Sequence, residues 1–119
     1  MEFNEHKAIY LQIAETLCER ILIGKWKAEE RIPSVRELGA SLGVNPNTVA
    51  RTYDYLQQMN VIYNKRGIGY FVTSQAREEI ISVLKTTFLK EELPKFFKKM
   101  NLLSIPFDEL ETIYKQNNQ

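Results

Sequence analysis

At 119 residues, 44% hydrophobic and 26% charged, the chain suits one compact domain with a modest appendage. Its apolar runs fall short of the roughly 20 residues that span a bilayer, so no membrane partner is expected, and the acidic, polar start Met1-Glu2-Phe3-Asn4-Glu5-His6 is not a signal peptide. The net charge of only +1 excludes a uniformly basic chain, but residues 31–70 hold five basic and two acidic side chains, against four and six in residues 2–30 and seven of each in residues 71–119.

Residues 7–23 read as a helix, because Tyr10, Ala14, Leu17 and Ile21 recur at helical spacing with Ile13 and Cys18 beside them. Gly24 stops it. Cys18 lies on the apolar side as a small core hydrophobe, and as the single cysteine it cannot form an internal disulfide, which fits a cytoplasmic protein. Lone His6 reads as exposed and idle. Residues 25–33 form a connector around Trp26, with a short strand expected at Trp26-Lys27.

A second helix starts at Ser34. Ser34 and Glu37 have the spacing of a capping box, and Pro33 fixes the chain's entry. Val35, Leu38 and Leu42 face inward, and Gly43 ends the helix in a left-handed conformation. A third helix follows at once, with Asn45 as its cap and Pro46 at its first position, where a missing N–H costs nothing. Val49, Tyr53 and Leu56 make its buried face; Asn47, Ala50, Arg51 and Asp54 lie on the other side. Two β segments, residues 61–64 and 70–73, are joined by the hairpin tip Lys65-Arg66-Gly67-Ile68-Gly69.

From residue 74 the character changes. Ile80, Ile81, Leu84, Phe88 and Leu89 form a helical stripe that continues through Leu93, Phe96, Phe97, Met100 and Leu103. Pro94 must kink this segment or start a new helix. A last short helix fits residues 107–114 after Pro106, with residues 115–119 expected to fray.

A capped helix, a tight turn, a second capped helix and a Gly-rich hairpin describe a helix-turn-helix followed by a wing. The fold class expected is mainly α with a small β-hairpin: a winged helix-turn-helix over residues 1–74 and a helical tail over residues 75–119. Such a fold grips double-stranded DNA by placing one helix in the major groove. The start of the third helix offers Asn45, Asn47 and Thr48. Asn47 can pair with an adenine edge, and Arg51 can reach guanine or phosphate. Arg36 would point at the DNA backbone or a base near it. Lys65, Arg66 and Gly67 would bring the wing tip against a neighbouring groove or phosphates. Tyr53, Tyr63, Tyr70 and Phe71 read as core aromatics rather than stacking platforms. No side chains have metal-ligand spacing, no nucleophile has a partner base, and no cofactor is expected, so an enzyme is not.

Residues 9–73 resemble the N-terminal domain of the GntR family of bacterial transcription regulators. The stretches that carry the likeness are Ile9-Tyr10-Leu11-Gln12-Ile13, Arg31-Ile32-Pro33-Ser34-Val35-Arg36-Glu37-Leu38, Gly43-Val44-Asn45-Pro46-Asn47-Thr48-Val49 and Arg66-Gly67-Ile68-Gly69-Tyr70-Phe71-Val72. The short helical tail is similar to the YtrA-like branch, which implies dimerisation without a larger effector-binding domain. By position, the resemblance implies DNA contacts at Arg36, Asn45, Asn47, Thr48, Arg66 and Gly67. The chain departs from many relatives in having Pro46 and Ala50 where they carry basic residues, and Ala28-Glu29-Glu30 where a Pro-Gly turn is common.

The tail's apolar residues lie on more than one side, and leaving them exposed would make a sticky patch. A two-fold interface anchored by Leu84, Phe88, Leu89, Phe96, Phe97 and Met100 is expected, which makes the chain a homodimer on a pseudo-palindromic operator. Repression by occluding a promoter needs only those two properties. A small-molecule effector is not identifiable in the sequence. The alternative is a winged-helix protein-interaction module, which an acidic or apolar recognition face would favour; the Asn/Thr/Arg face argues against it.

Overall fold

The computed structural model describes residues 7–118, and His6 lies outside them. Along the chain run α1 (Ile9–Leu22), α2 (Val35–Leu42), α3 (Pro46–Gln58), β1 (Ile62–Lys65), β2 (Gly69–Val72), α4 (Ala76–Thr87), a π-helical turn (Phe88–Glu92), α5 (Leu93–Leu102) and α6 (Phe107–Asn117). Two compact units divide the chain, the first ending at Ser82 and the second beginning at Val83. The first extends past the change of character at residue 74 because Ala76 and Ile80, on the opening turns of α4, are buried.

The core of the first unit follows from helical spacing. Ile13, Ala14, Leu17, Cys18 and Ile21 form one stripe on α1, and Val49, Thr52, Tyr53 and Leu56 another on α3. Leu38 and Gly39 complete it from α2, whereas Val35 and Leu42 are only half-buried. Each fully enclosed Leu, Ile or Val contributes about 1.5–3 kcal/mol. Buried polar groups are satisfied: Thr52 Oγ1 donates to the Tyr10 carbonyl at 2.8 Å and Thr73 Oγ1 to the Asn60 carbonyl at 2.7 Å. Tyr53 links three elements. Its hydroxyl donates to the Pro33 carbonyl at 2.6 Å, and its ring meets that of Tyr70 edge-on at 4.8 Å. Burial pushes its phenol well above the ordinary range.

Local chemistry sets the turn between α2 and α3. Both capping-box bonds form, Glu37 N–H to Ser34 Oγ and Ser34 N–H to Glu37 Oε1, each 3.1 Å. The Ser34 backbone N–H, and after it the Ser34 side chain, hold the Glu37 carboxyl below its usual value. Gly43 closes α2 with φ of 68°. Gly39 permits the close approach of the next helix: a Cβ there would stand 2.8 Å from the Val44 carbonyl oxygen.

The hairpin pairs antiparallel, Ile62 with Val72 through Lys65 with Gly69, one residue later in β1 and one earlier in β2 than the sequence suggests. The strand expected at Trp26-Lys27 does not form. Trp26 is instead buried, with the Arg20 guanidinium 5.4 Å from its ring, and its backbone bends there. Pairing comes later, where Arg31 bridges Phe71, the Ile32 N–H donates to Tyr70, and Glu29 and Glu30 bond to Val72. The Ala28-Glu29-Glu30 turn works without glycine. Glu29 takes a positive φ of 67°, Lys27 N–H bonds to Glu30 Oε2 at 3.0 Å, and Tyr63 donates to Glu29 Oε2 at 2.6 Å. That last bond raises the Tyr63 phenol.

In the second unit Pro94 acts as expected. Without an N–H, and with a ring that would crowd the Lys90 carbonyl, it cannot continue an α-helix. The chain widens into a π turn, in which the Leu93 N–H bonds to Phe88, and α5 restarts with Pro94 in its first turn. The C-terminal fraying expected from residue 115 is not seen up to Asn117. Lys115 pairs with Glu111 at 3.1 Å, one helical turn back, and the Asn118 side chain bonds to the Tyr114 carbonyl. No helix among the described residues is long and apolar enough to cross a membrane.

Cys18 gives a direct check on this core. It is 3% exposed, and burial, with the nearby Glu19 charge, pushes its thiol up to about 11. Because the raised value keeps the reactive thiolate scarce at pH 8, iodoacetamide should label Cys18 slowly in the folded protein and rapidly in urea. Fast labelling of the native chain, read by mass spectrometry, would contradict the packing of α1.

Candidate nucleic-acid interface

The helix expected to read DNA is α3, and its first turn is well organised. The Asn45 side chain accepts from the Asn47 N–H at 2.8 Å, and the Thr48 N–H bonds to the Asn45 carbonyl at 3.0 Å. Asn45 therefore uses its side-chain oxygen as a cap and keeps its Nδ2 for a partner. Asn47 and Arg51 are exposed one turn apart, and Thr48 is half-buried between them. All three line an open groove of about 320 Å³, closed on its other side by Ala8, Ile9 and Tyr10 at the start of α1.

Arg36 is the second residue of α2 and exposed, and no carboxylate among the described residues pairs with it. The capping box that fixes α2 fixes the backbone on which it rides. The third group is the wing tip. The Ile68 N–H bonds back to the Lys65 carbonyl at 2.9 Å, with Gly67 at a positive φ of 78° inside the turn. Arg66 and Gly67 are exposed at the apex; Lys65 stands beside them with its ammonium 5.2 Å from the Phe71 ring. Phe71 stacks on Tyr63 at 5.7 Å, so these two half-buried rings stiffen the wing. Asn47, Thr48 and Arg51 thus share one groove, whereas Arg36 and the Lys65-Arg66-Gly67 tip stand on separate elements of the same unit.

Two further side chains, which the sequence places in the apolar stripe, the charge count and the family-like stretches but without a role in the site, make contacts here. Arg31 lies flat against the backbone of Gly69: a Cβ there would come within 2.8 Å of its Nε, and Gly69 has a φ of 146° besides. Tyr10 carries the Arg51 guanidinium on its ring at 4.0 Å. Neither contact has a local sequence signal, since each joins residues far apart in the chain. Among the described residues no cluster of His, Cys, Asp or Glu could hold a metal ion.

The expected anchors of the tail lie in the second unit. Phe88 and Phe96 are each 49% exposed, Leu89 and Phe97 are exposed as well, and Leu84 and Met100 are half-buried. Phe96 and Met100 also line a small apolar cavity of about 120 Å³ with Leu103, Ile105 and Leu110.

Comparison with known proteins places this geometry. The family model described as bacterial regulatory proteins, gntR family, matches residues 9–72. The chain is 35% identical to the HTH-type transcriptional regulator YhcF of Bacillus subtilis, over 92% of this chain and 88% of that one. It is 31% identical to the HTH-type transcriptional repressor YtrA of the same organism, over 91% and 82%. A crystal structure of a transcriptional regulator of the GntR family from Bacteroides thetaiotaomicron superposes with a TM-score of 0.78 at 51% identity, covering 94% of this chain and 97% of that one. The DNA-binding domain of AraR, solved in complex with operator ORR3, superposes with a TM-score of 0.55 at 29% identity, over 61% of this chain and 86% of that one. These relatives are regulators rather than enzymes, and the chain belongs to the GntR family of bacterial transcription regulators, with a winged helix-turn-helix of the DNA-binding kind.

Proposed function

We propose that the chain is a cytoplasmic transcriptional repressor that acts as a homodimer on a pseudo-palindromic operator. Its DNA contacts are Arg36, Asn45, Asn47, Thr48, Arg51, Lys65, Arg66 and Gly67. The observation that carries the dimer is the state of the second unit: from residue 83 to residue 118 no side chain is fully buried, although Phe88, Leu89, Phe96, Phe97, Leu103 and Phe107 are all there and exposed. An apolar face of that size on a chain in water calls for a partner, and a second copy is the partner always at hand. Two copies related by a two-fold axis present two α3 helices to two half-sites.

Support for repression comes from YtrA, a named repressor that matches nearly the whole chain, and support for operator binding from the AraR complex. Occlusion of a promoter requires no further domain. The test combines sedimentation velocity with hydroxyl-radical footprinting on a duplex selected for binding. A dimer in solution, with two protected patches about 10 bp apart or a multiple of that, is expected. A monomer that protects one short patch would rule the reading out, and a chain that binds no duplex would return it to the interaction-module class.

A further inference from the structure

The Tyr10–Arg51 contact joins the first turn of α1 to the open face of the recognition helix. Resting on the reading of Arg51 as a DNA contact, we infer that Tyr10 is a positioning residue for base readout: its ring holds the Arg51 guanidinium in the groove before DNA arrives. Arg51 would otherwise be a long, exposed side chain with many rotamers. Instead its guanidinium carbon sits 4.0 Å from the centre of the Tyr10 ring. Tyr10 is itself held, at its backbone and at its ring. The Tyr10 carbonyl accepts from Thr52 Oγ1 at 2.8 Å, which ties it to the residue next to Arg51, and the Tyr55 ring meets it edge-on at 6.2 Å.

The geometry suits a reader of DNA for a specific reason. Stacking engages the flat face of a guanidinium and leaves its in-plane N–H donors open. Those donors are the ones that pair with guanine O6 and N7 or with a phosphate. Asn47 and Thr48 line the same groove, so the held cation stands beside the other candidate base contacts. Among the described residues no carboxylate forms an ion pair with it: Asp54, three positions on, does not, and Glu15 on α1 is engaged by Lys7. Ordering the side chain in advance removes a cost that would otherwise fall on binding, worth roughly tenfold in affinity when counted over both protomers.

The test is a double-mutant cycle on full-length chain, with the symmetric duplex enriched from a random pool as probe. Tyr10→Leu should weaken binding roughly tenfold, Tyr10→Phe should keep near-normal affinity because the ring remains, and Tyr10→Leu should add little once Arg51 is alanine. In the free protein, the Arg51 side-chain NMR resonances should carry a ring-current shift that Tyr10→Leu abolishes and Tyr10→Phe retains. Equal loss from Tyr10→Leu in both backgrounds would overturn the inference, since Tyr10 would then act on DNA by itself. So would a loss from Arg51→Ala with none from Tyr10→Leu. Unchanged affinity in Arg51→Ala would instead strike at the assignment of Arg51 to DNA, and the inference would fall with it.

Discussion

Replacing Arg36 and Arg66 together by alanine is expected to lower duplex affinity by at least about 100-fold while leaving thermal melting unchanged. Both side chains are exposed and lie outside the core, so their removal should alter stability by no more than about 0.5 kcal/mol. On DNA each is lost twice, once per protomer. A base-directed arginine is worth about 1–3 kcal/mol, and a phosphate-directed one flattens the salt dependence by roughly 0.9 per contact. The double variant should therefore show both a weaker complex and a shallower plot of log affinity against log salt. Near-normal binding in a folded double variant would remove these two residues from the interface and the geometry of the site with them.

Breaking the tail should have an effect of similar or larger size. Phe88→Glu combined with Phe96→Glu is expected to give a monomer and to weaken operator binding by about 100- to 10,000-fold, the advantage that a linked second reading head confers. Each phenylalanine is 49% exposed in the single chain, so a carboxylate at either position stays in water in the isolated chain, at the cost of the Phe96 contacts with Phe97 and the small apolar cavity. In a two-fold interface each would bury an unpaired carboxylate. Light scattering and titration of the same preparation separate the outcomes. A variant that stays dimeric would place the interface elsewhere, and a monomer with undiminished affinity would show that one copy suffices.

The helix-turn-helix is legible in the sequence because its signals are local. Ser34 with Glu37, Gly43, and Asn45 before Pro46 each act within one helical turn, and each does in the structure what its spacing implies. The same holds for Pro94, whose missing N–H yields a π turn and a fresh helix. Expectations failed where tertiary contacts decide. Trp26 has the composition of a strand but is drawn into the core, which shifts the pairing to Arg31. Glu29 adopts a conformation usual for glycine because Tyr63 and the Val72 carbonyl hold it. Residues 115–117 are different, since local contacts keep them helical: Glu111 pairs with Lys115 one turn on, and the Asn118 side chain bonds to the Tyr114 carbonyl.

The candidate site divides in the same way. Arg36, Asn47, Arg51 and Arg66 can be singled out because their positions relative to caps and glycines are visible along the chain. What holds them is less visible: the Tyr10 ring under Arg51 comes from a helix some forty residues earlier, and Arg31 reaches Gly69 across the sheet. A residue that positions another through space leaves no periodic trace.

The most direct test of the central claim is selection of bound duplexes from a random DNA pool, followed by binding of the winners over a salt series. The account predicts enrichment of a two-fold-symmetric site whose half-sites lie about one helical turn apart or a multiple of it, with affinity falling steeply as salt rises. Failure to enrich any duplex at low salt, or enrichment of a lone half-site without symmetry, would contradict a dimeric operator-binding regulator.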